Sequence, residues 1–164
     1  MKNTVFEGIL KGMSRLPFCQ DTHGPLLTDL YQLTMCYGYW KAQRADDEAV
    51  FHLFFRKNAF DGGFSLASGL EDAVHFLSGL NFQDSDLAYL GTLKGGDGGR
   101  LFEPAFLDYL GALELKLNVD AVPEGTVMFP QEPLVRVRGS ILQAQLVETA
   151  LLTFINFQTL IASK

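Results

Sequence analysis

The side chains with chemistry to offer are few and scattered. His23, His52 and His75 are the groups that exchange protons nearest neutral pH, but they lie far apart in the chain. A lone histidine in a strand or on a helix is usually structural. Cys19 and Cys36 lack metal-ligand spacing, and the chain is long enough to fold without a disulfide. Both therefore read as free thiols of a reducing compartment. Arg136 and Arg138 fall on one face of an alternating segment, the pattern of any solvent-facing strand. The run Lys94-Gly95-Gly96-Asp97-Gly98-Gly99 imitates a phosphate loop in composition alone. It follows no clear strand and reads as a flexible surface loop. There is no GxGxxG opening a helix, no Walker loop and no HExxH. Asp29, Tyr31, Arg56 and Lys57 remain. By residue type alone they are a first-turn helix carboxylate, a half-buried helix tyrosine, a strand-end charge and a surface lysine.

The elements that must hold these residues follow from periodicity. Residues 1–25 show no clear period and end in the turn-rich Asp21-Thr22-His23-Gly24-Pro25, so they read as a loosely attached arm. Residues 26–164 read as the folded domain. Thr28 as N-cap, with Asp29 in the first turn, opens a helix over about 28–43, in which Leu30, Leu33, Thr34, Tyr37 and Trp40 recur at helical spacing. Residues 49–56, aromatic and branched, predict a strand buried on both faces. Asp61-Gly62-Gly63 closes a loop. A second helix is expected over about 66–79, with Leu66, Leu70, Val74 and Leu77 on one face. Short helices follow near 84–92 and 103–112. Strands are predicted at 117–122, 127–129 and 134–138. Ser140 then caps a long, mostly apolar helix from Ile141 to Ala162 that needs cover on more than one side. No Gly, Asn or Pro follows it before Lys164, so the natural chain is expected to continue. The fold class is mixed, α+β or α/β.

Composition narrows the function. The chain has 164 residues, 48% of them hydrophobic, which suits a globular domain with a real core. Its net charge of −6 and lack of a basic block argue against nonspecific nucleic-acid binding. No apolar run approaches the roughly 18 residues of a membrane span. Glu7 interrupts the opening where a signal peptide needs an apolar centre. A cytoplasmic protein is expected.

One segment is more specific than its composition. Leu26-Leu27-Thr28-Asp29-Leu30-Tyr31-Gln32-Leu33-Thr34-Met35 resembles the N-terminal signature of nicotinate phosphoribosyltransferases. Further pieces resemble that family in order and spacing: Phe54-Phe55-Arg56-Lys57 with Phe60 and Gly62-Gly63, Leu66-Ala67-Ser68-Gly69-Leu70, Val122-Pro123-Glu124-Gly125, Glu132-Pro133-Leu134, Glu148-Thr149, and Asn156-Phe157-Gln158-Thr159-Leu160. The resemblance runs from residue 26 to the end and leaves out residues 1–25 and 94–100.

The resemblance implies the N-terminal mixed α/β domain of a type II phosphoribosyltransferase, with the barrel half absent from these residues. It implies a ligase or glycosyltransferase of NAD biosynthesis. Nicotinate and phosphoribosyl pyrophosphate would be joined into nicotinate mononucleotide, with ATP and Mg serving the full enzyme and a phosphorylated histidine in the barrel half. It implies a homodimer whose sites are shared between subunits. No catalytic residue and no metal ligand is expected here. Substrate-binding roles are expected of Tyr31, against the pyridine ring, and of Arg56, at a phosphate site of the neighbouring subunit. Asp29 would orient substrate or hold Tyr31 and Arg56. A nicotinamide- or quinolinate-specific relative, a non-catalytic dimerising or binding fragment, and an unrelated α+β domain are the competing readings.

Overall fold

The most apolar segment of the chain becomes its spine. In a computed structural model describing residues 24–164, helix α5 (Ile141–Ala162) is buried on two sides along its first half. Cys19, His23 and all of the arm expected over residues 1–25 except Gly24 and Pro25 lie outside the described residues. On one side of α5 sit α1 (Leu30–Lys41), α3 (Asp84–Thr92) and α4 (Pro104–Gly111), around Leu33, Cys36, Leu90, Phe102, Phe106, Leu142 and Leu146. On the other sit α2 (Leu70–Gly79) and the sheets, around Phe76, Leu134, Val135, Val137, Val147, Leu151, Phe154 and Ile155. Burying such a side chain stabilises by about 1.5–3 kcal/mol. Ser140 caps α5 as expected, its hydroxyl accepting from the Gln143 amide.

Among the described residues, five strands form two antiparallel sheets. β1 (Glu48–Phe54), β5 (Pro133–Ser140) and β3 (Asn118–Ala121) are ordered β1-β5-β3, and β2 (Ser65–Leu66) pairs with β4 (Val127–Met128). Val50 stands opposite Arg138, and His52 opposite Arg136. β1 is an edge strand whose residues alternate between exposed and half-buried. The expected burial on both faces is therefore corrected: only Phe51 and Leu53 meet the core, and His52 and Phe54 point outward.

Two other boundaries moved for local reasons. The first helix is capped by Asp29, extended at φ −78° and ψ 146°, whose carbonyl accepts from the Gln32 amide. Thr28, the expected cap, buries its hydroxyl without a partner among the described residues. The second helix begins at Leu70 rather than 66. Gly69 precedes it at φ +95°, which ends any continuous helix, and Ser65–Leu66 extend as β2. The glycine-rich segment is a closed turn rather than an open linker. Lys94 bridges Arg100, Gly95 donates to the Gly99 carbonyl, and Asp97 accepts from the Gly99 amide.

α5 is also stitched to the β2 segment by its own hydroxyls. Thr159 accepts from the Ser68 amide and donates to its carbonyl, both at 3.1 Å, and Ser163 accepts from Leu66 at 2.9 Å. These contacts fix α5 lengthwise. The polar residues on its flank facing α1 are thereby placed at fixed heights.

Candidate functional site

Where α1 crosses α5, the interface is polar. Gln32 is fully buried, and Gln145 is nearly so. The Gln145 amide nitrogen donates to Gln32 Oε1 and, at 2.9 Å, to Glu148. Gln32 Nε2 in turn donates to the Tyr31 hydroxyl at 2.7 Å and toward Thr149 Oγ1 at 3.4 Å. Thr149 donates to the Asp29 carboxylate at 3.0 Å. A buried amide without partners costs about 1–3 kcal/mol, and here both amides are engaged.

The outer wall of this network is Tyr31. Its side chain is 51% exposed, so a ring face remains open while its hydroxyl is tethered. Partial desolvation, and then the nearby Glu148 and Asp29 carboxylates, raise its pKa above the usual phenol value, although a Thr149 hydrogen bond opposes the shift. The phenol is therefore protonated at neutral pH. A groove of about 180 Å3 runs between β1 and α5, lined by Phe51, His52, Leu53, Val137, Ala144, Glu148, Leu151 and Leu152. Glu148 thus borders both Tyr31 and the groove.

Arg56 lies just past β1. Its carbonyl accepts from the Gln131 side chain at 3.4 Å, and the preceding Phe55 carbonyl accepts from the Gln131 amide at 2.8 Å. Its exposed guanidinium forms no ion pair among the described residues, and neither does Lys57. Asp29 and Tyr31 are brought into one network. No described hydrogen bond or ion pair joins Arg56 to either.

The other chemistry-bearing residues have structural settings. Arg136 pairs with Asp120 at 2.9 Å, and Arg138 with Glu48, on the exposed sheet face. Such pairs contribute about 0–1 kcal/mol. His52 and His75 stand exposed on different elements. Among the described residues, no group of three or more His, Cys, Asp or Glu is arranged to hold a metal. No helix among the described residues is long and apolar enough to cross a membrane.

Reasoning from residue types missed Gln32, Gln145, Glu148 and Thr149 as parts of the site. A signal was present. Gln145, Glu148 and Thr149 are spaced i, i+3, i+4 and so share one face of a mostly apolar helix.

Comparison with known proteins matches residues 26–156 to the family described as the nicotinate phosphoribosyltransferase N-terminal domain. Nicotinate phosphoribosyltransferases of Bos taurus and Homo sapiens are each 46% identical over 140 residues, which is 85% of this chain and 25% of theirs. Nicotinate phosphoribosyltransferase 2 of Arabidopsis thaliana is 43% identical over the same length. The chain spans about a quarter of the length of these relatives. A crystal structure of human nicotinic acid phosphoribosyltransferase superposes with a TM-score of 0.74 at 45% identity, covering 84% of this chain and 27% of that one. Nicotinate-nucleotide pyrophosphorylase from Pyrococcus furiosus, at 17% identity and a TM-score of 0.51, shares the fold.

Proposed function

From the premise that this chain belongs to the nicotinate phosphoribosyltransferase family, as its N-terminal domain, we propose that it supplies substrate-binding side chains to an enzyme making nicotinate mononucleotide from nicotinate and phosphoribosyl pyrophosphate. The observation that carries this reading is the half-exposed Tyr31 ring with its hydroxyl held by Gln32. A flat aromatic acid gains about 0.5–1.5 kcal/mol from offset stacking on such a ring, beyond the area it buries.

The surroundings of Tyr31 set a further requirement. Asp29 and Glu148 make them acidic, and no described cation neutralises either carboxylate there. Anionic substrates are held beside that acid only with cations from elsewhere. The unpaired guanidinium of Arg56 suits this need, because its planar fork can grip a phosphate with two parallel hydrogen bonds. In this proposal Arg56 reaches the site of the second subunit of a homodimer in the cytoplasm. Asp29 acts through Thr149 on the shape of the Tyr31 surroundings.

We assign no catalytic step to these residues. ATP and Mg belong to the remainder of the enzyme in this reading. The described residues include no cluster of carboxylates and histidines that fits a metal ion, so no step is routed through either here.

The test is made in the intact enzyme. Tyr31→Ala is expected to raise the KM for nicotinate about ten- to a hundredfold, the stacking together with the apolar area that the ring covers. Arg56→Ala is expected to raise the KM for phosphoribosyl pyrophosphate about ten- to a hundredfold, the loss of a charged hydrogen bond. Unchanged turnover and KM in both variants would overturn the site assignment. Consumption of nicotinamide or quinolinate in preference to nicotinate would overturn the substrate.

A further inference from the structure

A helix crossing has no need of buried glutamines. Leucine at Gln32 or Gln145 would fill similar space with no polar group to satisfy, and hydrogen-bonded amides in such a place often stabilise less than hydrocarbon. The two amides nevertheless occupy the crossing, and their chemistry gives the network a direction.

An amide nitrogen only donates, and an amide oxygen only accepts. Gln145 donates to Gln32 Oε1, so the amide of Gln32 is oriented with its nitrogen outward. That nitrogen has two protons and two recipients, Tyr31 Oη and Thr149 Oγ1. Thr149 uses its own hydroxyl hydrogen to donate to the Asp29 carboxylate. The Tyr31 oxygen therefore accepts from Gln32, and the Thr149 hydroxyl lies within hydrogen-bond reach of the same phenol. With Glu148 and Asp29 nearby, the phenol keeps its proton at neutral pH.

We propose that Gln32 is a positioning residue: it holds Tyr31 by the phenol oxygen, so that the ring lies fixed against the substrate's ring. Gln145 supports it by fixing which end of the Gln32 amide faces Tyr31. This rests on the reading of Tyr31 as a substrate contact.

The experiment is a double-mutant cycle in the intact enzyme, using nicotinate as the probe and steady-state kinetics as the readout. Gln32→Leu is expected to raise the KM for nicotinate about tenfold while kcat changes less than threefold, the scale of one hydrogen bond. Tyr31→Phe, which keeps the ring and removes the hydroxyl, is expected to do the same. In the Tyr31→Phe background, Gln32→Leu should then add less than threefold, because the bond it breaks is already gone. A merely structural Gln32 would give equal losses in both backgrounds, and that result would overturn the proposal. If Gln32→Leu does not fold, Gln145→Met must show the same loss of effect in the Tyr31→Phe background, and equal losses there count against the proposal in the same way. Failure of the underlying reading looks different. Tyr31→Ala and Tyr31→Phe would both leave the KM for nicotinate unchanged, and both proposals would fall. A Tyr31 effect with no Gln32 or Gln145 effect would remove the positioning role alone.

Discussion

Burial changes what a residue can do, and Cys36 shows by how much. Its thiol is inaccessible at the α1–α5 contact and lies 3.4 Å from the Leu142 carbonyl. Burial pushes its pKa up from 9.0 to about 12. Two outcomes follow. The thiolate is the form that attacks alkylating reagents, so Cys36 should resist alkylation at pH 8 in the native chain and react only on unfolding. Mass mapping of labelled peptides checks this, and prompt native labelling of Cys36 would count against the burial described. The sign of the pH effect is also fixed. Because the folded pKa is raised, the contribution of Cys36 is fully present below about pH 9 and is lost as pH rises toward 12, at up to about 1.4 kcal/mol per pH unit. The same desolvation at a tyrosine acts differently. Tyr31 is half exposed, so it keeps a usable face as well as its proton.

Among the elements, α2 depends most on residues far from it in sequence. It has no side-chain cap of its own. Glu124, from the turn before β4, accepts instead from the amides of Gly69 and Leu70 at 2.8 and 2.7 Å, and more weakly from Glu71. Glu124→Ala is expected to cost about 1 kcal/mol, moderated by exposure, and Glu124→Gln less, as read by urea unfolding. Gly69→Ala should cost more, about 2 kcal/mol or above. Gly69 sits at φ +95°, and an added Cβ would lie 2.5 Å from the Phe154 carbonyl oxygen. A stable Gly69→Ala would mean that α2 does not approach α5 as described. This pair also shows what a sequence can reveal. The periodicities of α3, α4 and α5, and the cap at Ser140, were legible because they are set by neighbours in the chain. The start of α2 was not, because Gly69 takes its conformation from contact with Phe154 and its cap from Glu124. Hydropathy overstated the burial of β1, since position at the sheet edge is a property of pairing order and not of the strand itself. The signature singles out Tyr31 and Asp29, and the fold brings both into one hydrogen-bond network. The Gln32–Gln145 contact joins positions distant in the chain, and no local pattern carries it.

The whole molecule is asymmetric in how it uses its spine. The first half of α5 is enclosed by both cores, but its last three turns show Leu152, Phe157, Leu160 and Ile161 to solvent at 43, 64, 37 and 58% exposure. Phe157, Leu160 and Ile161, spaced i, i+3, i+4, share one side of the helix, turned away from Thr159 and its bonds to Ser68. Phe60, 59% exposed, lies nearby with the Lys164 ammonium 5.7 Å from its ring centre. Monomeric proteins rarely leave contiguous apolar patches larger than a few hundred Å2 uncovered. The 164-residue chain is therefore expected to self-associate as its concentration rises, with a scattering mass above the 18.2 kDa of one copy. Replacing Phe157 and Ile161 together by serine should return it to that mass. Both side chains are mostly solvated already, so the exchange should shift stability by no more than about 1 kcal/mol. These two measurements separate association through the helix face from loss of fold: a variant that becomes monomeric and melts where the parent melts has lost only its contact surface. A parent chain that stays monomeric at high concentration would mean that this face is tolerated in water. The net charge of −6 would then be enough to keep copies apart.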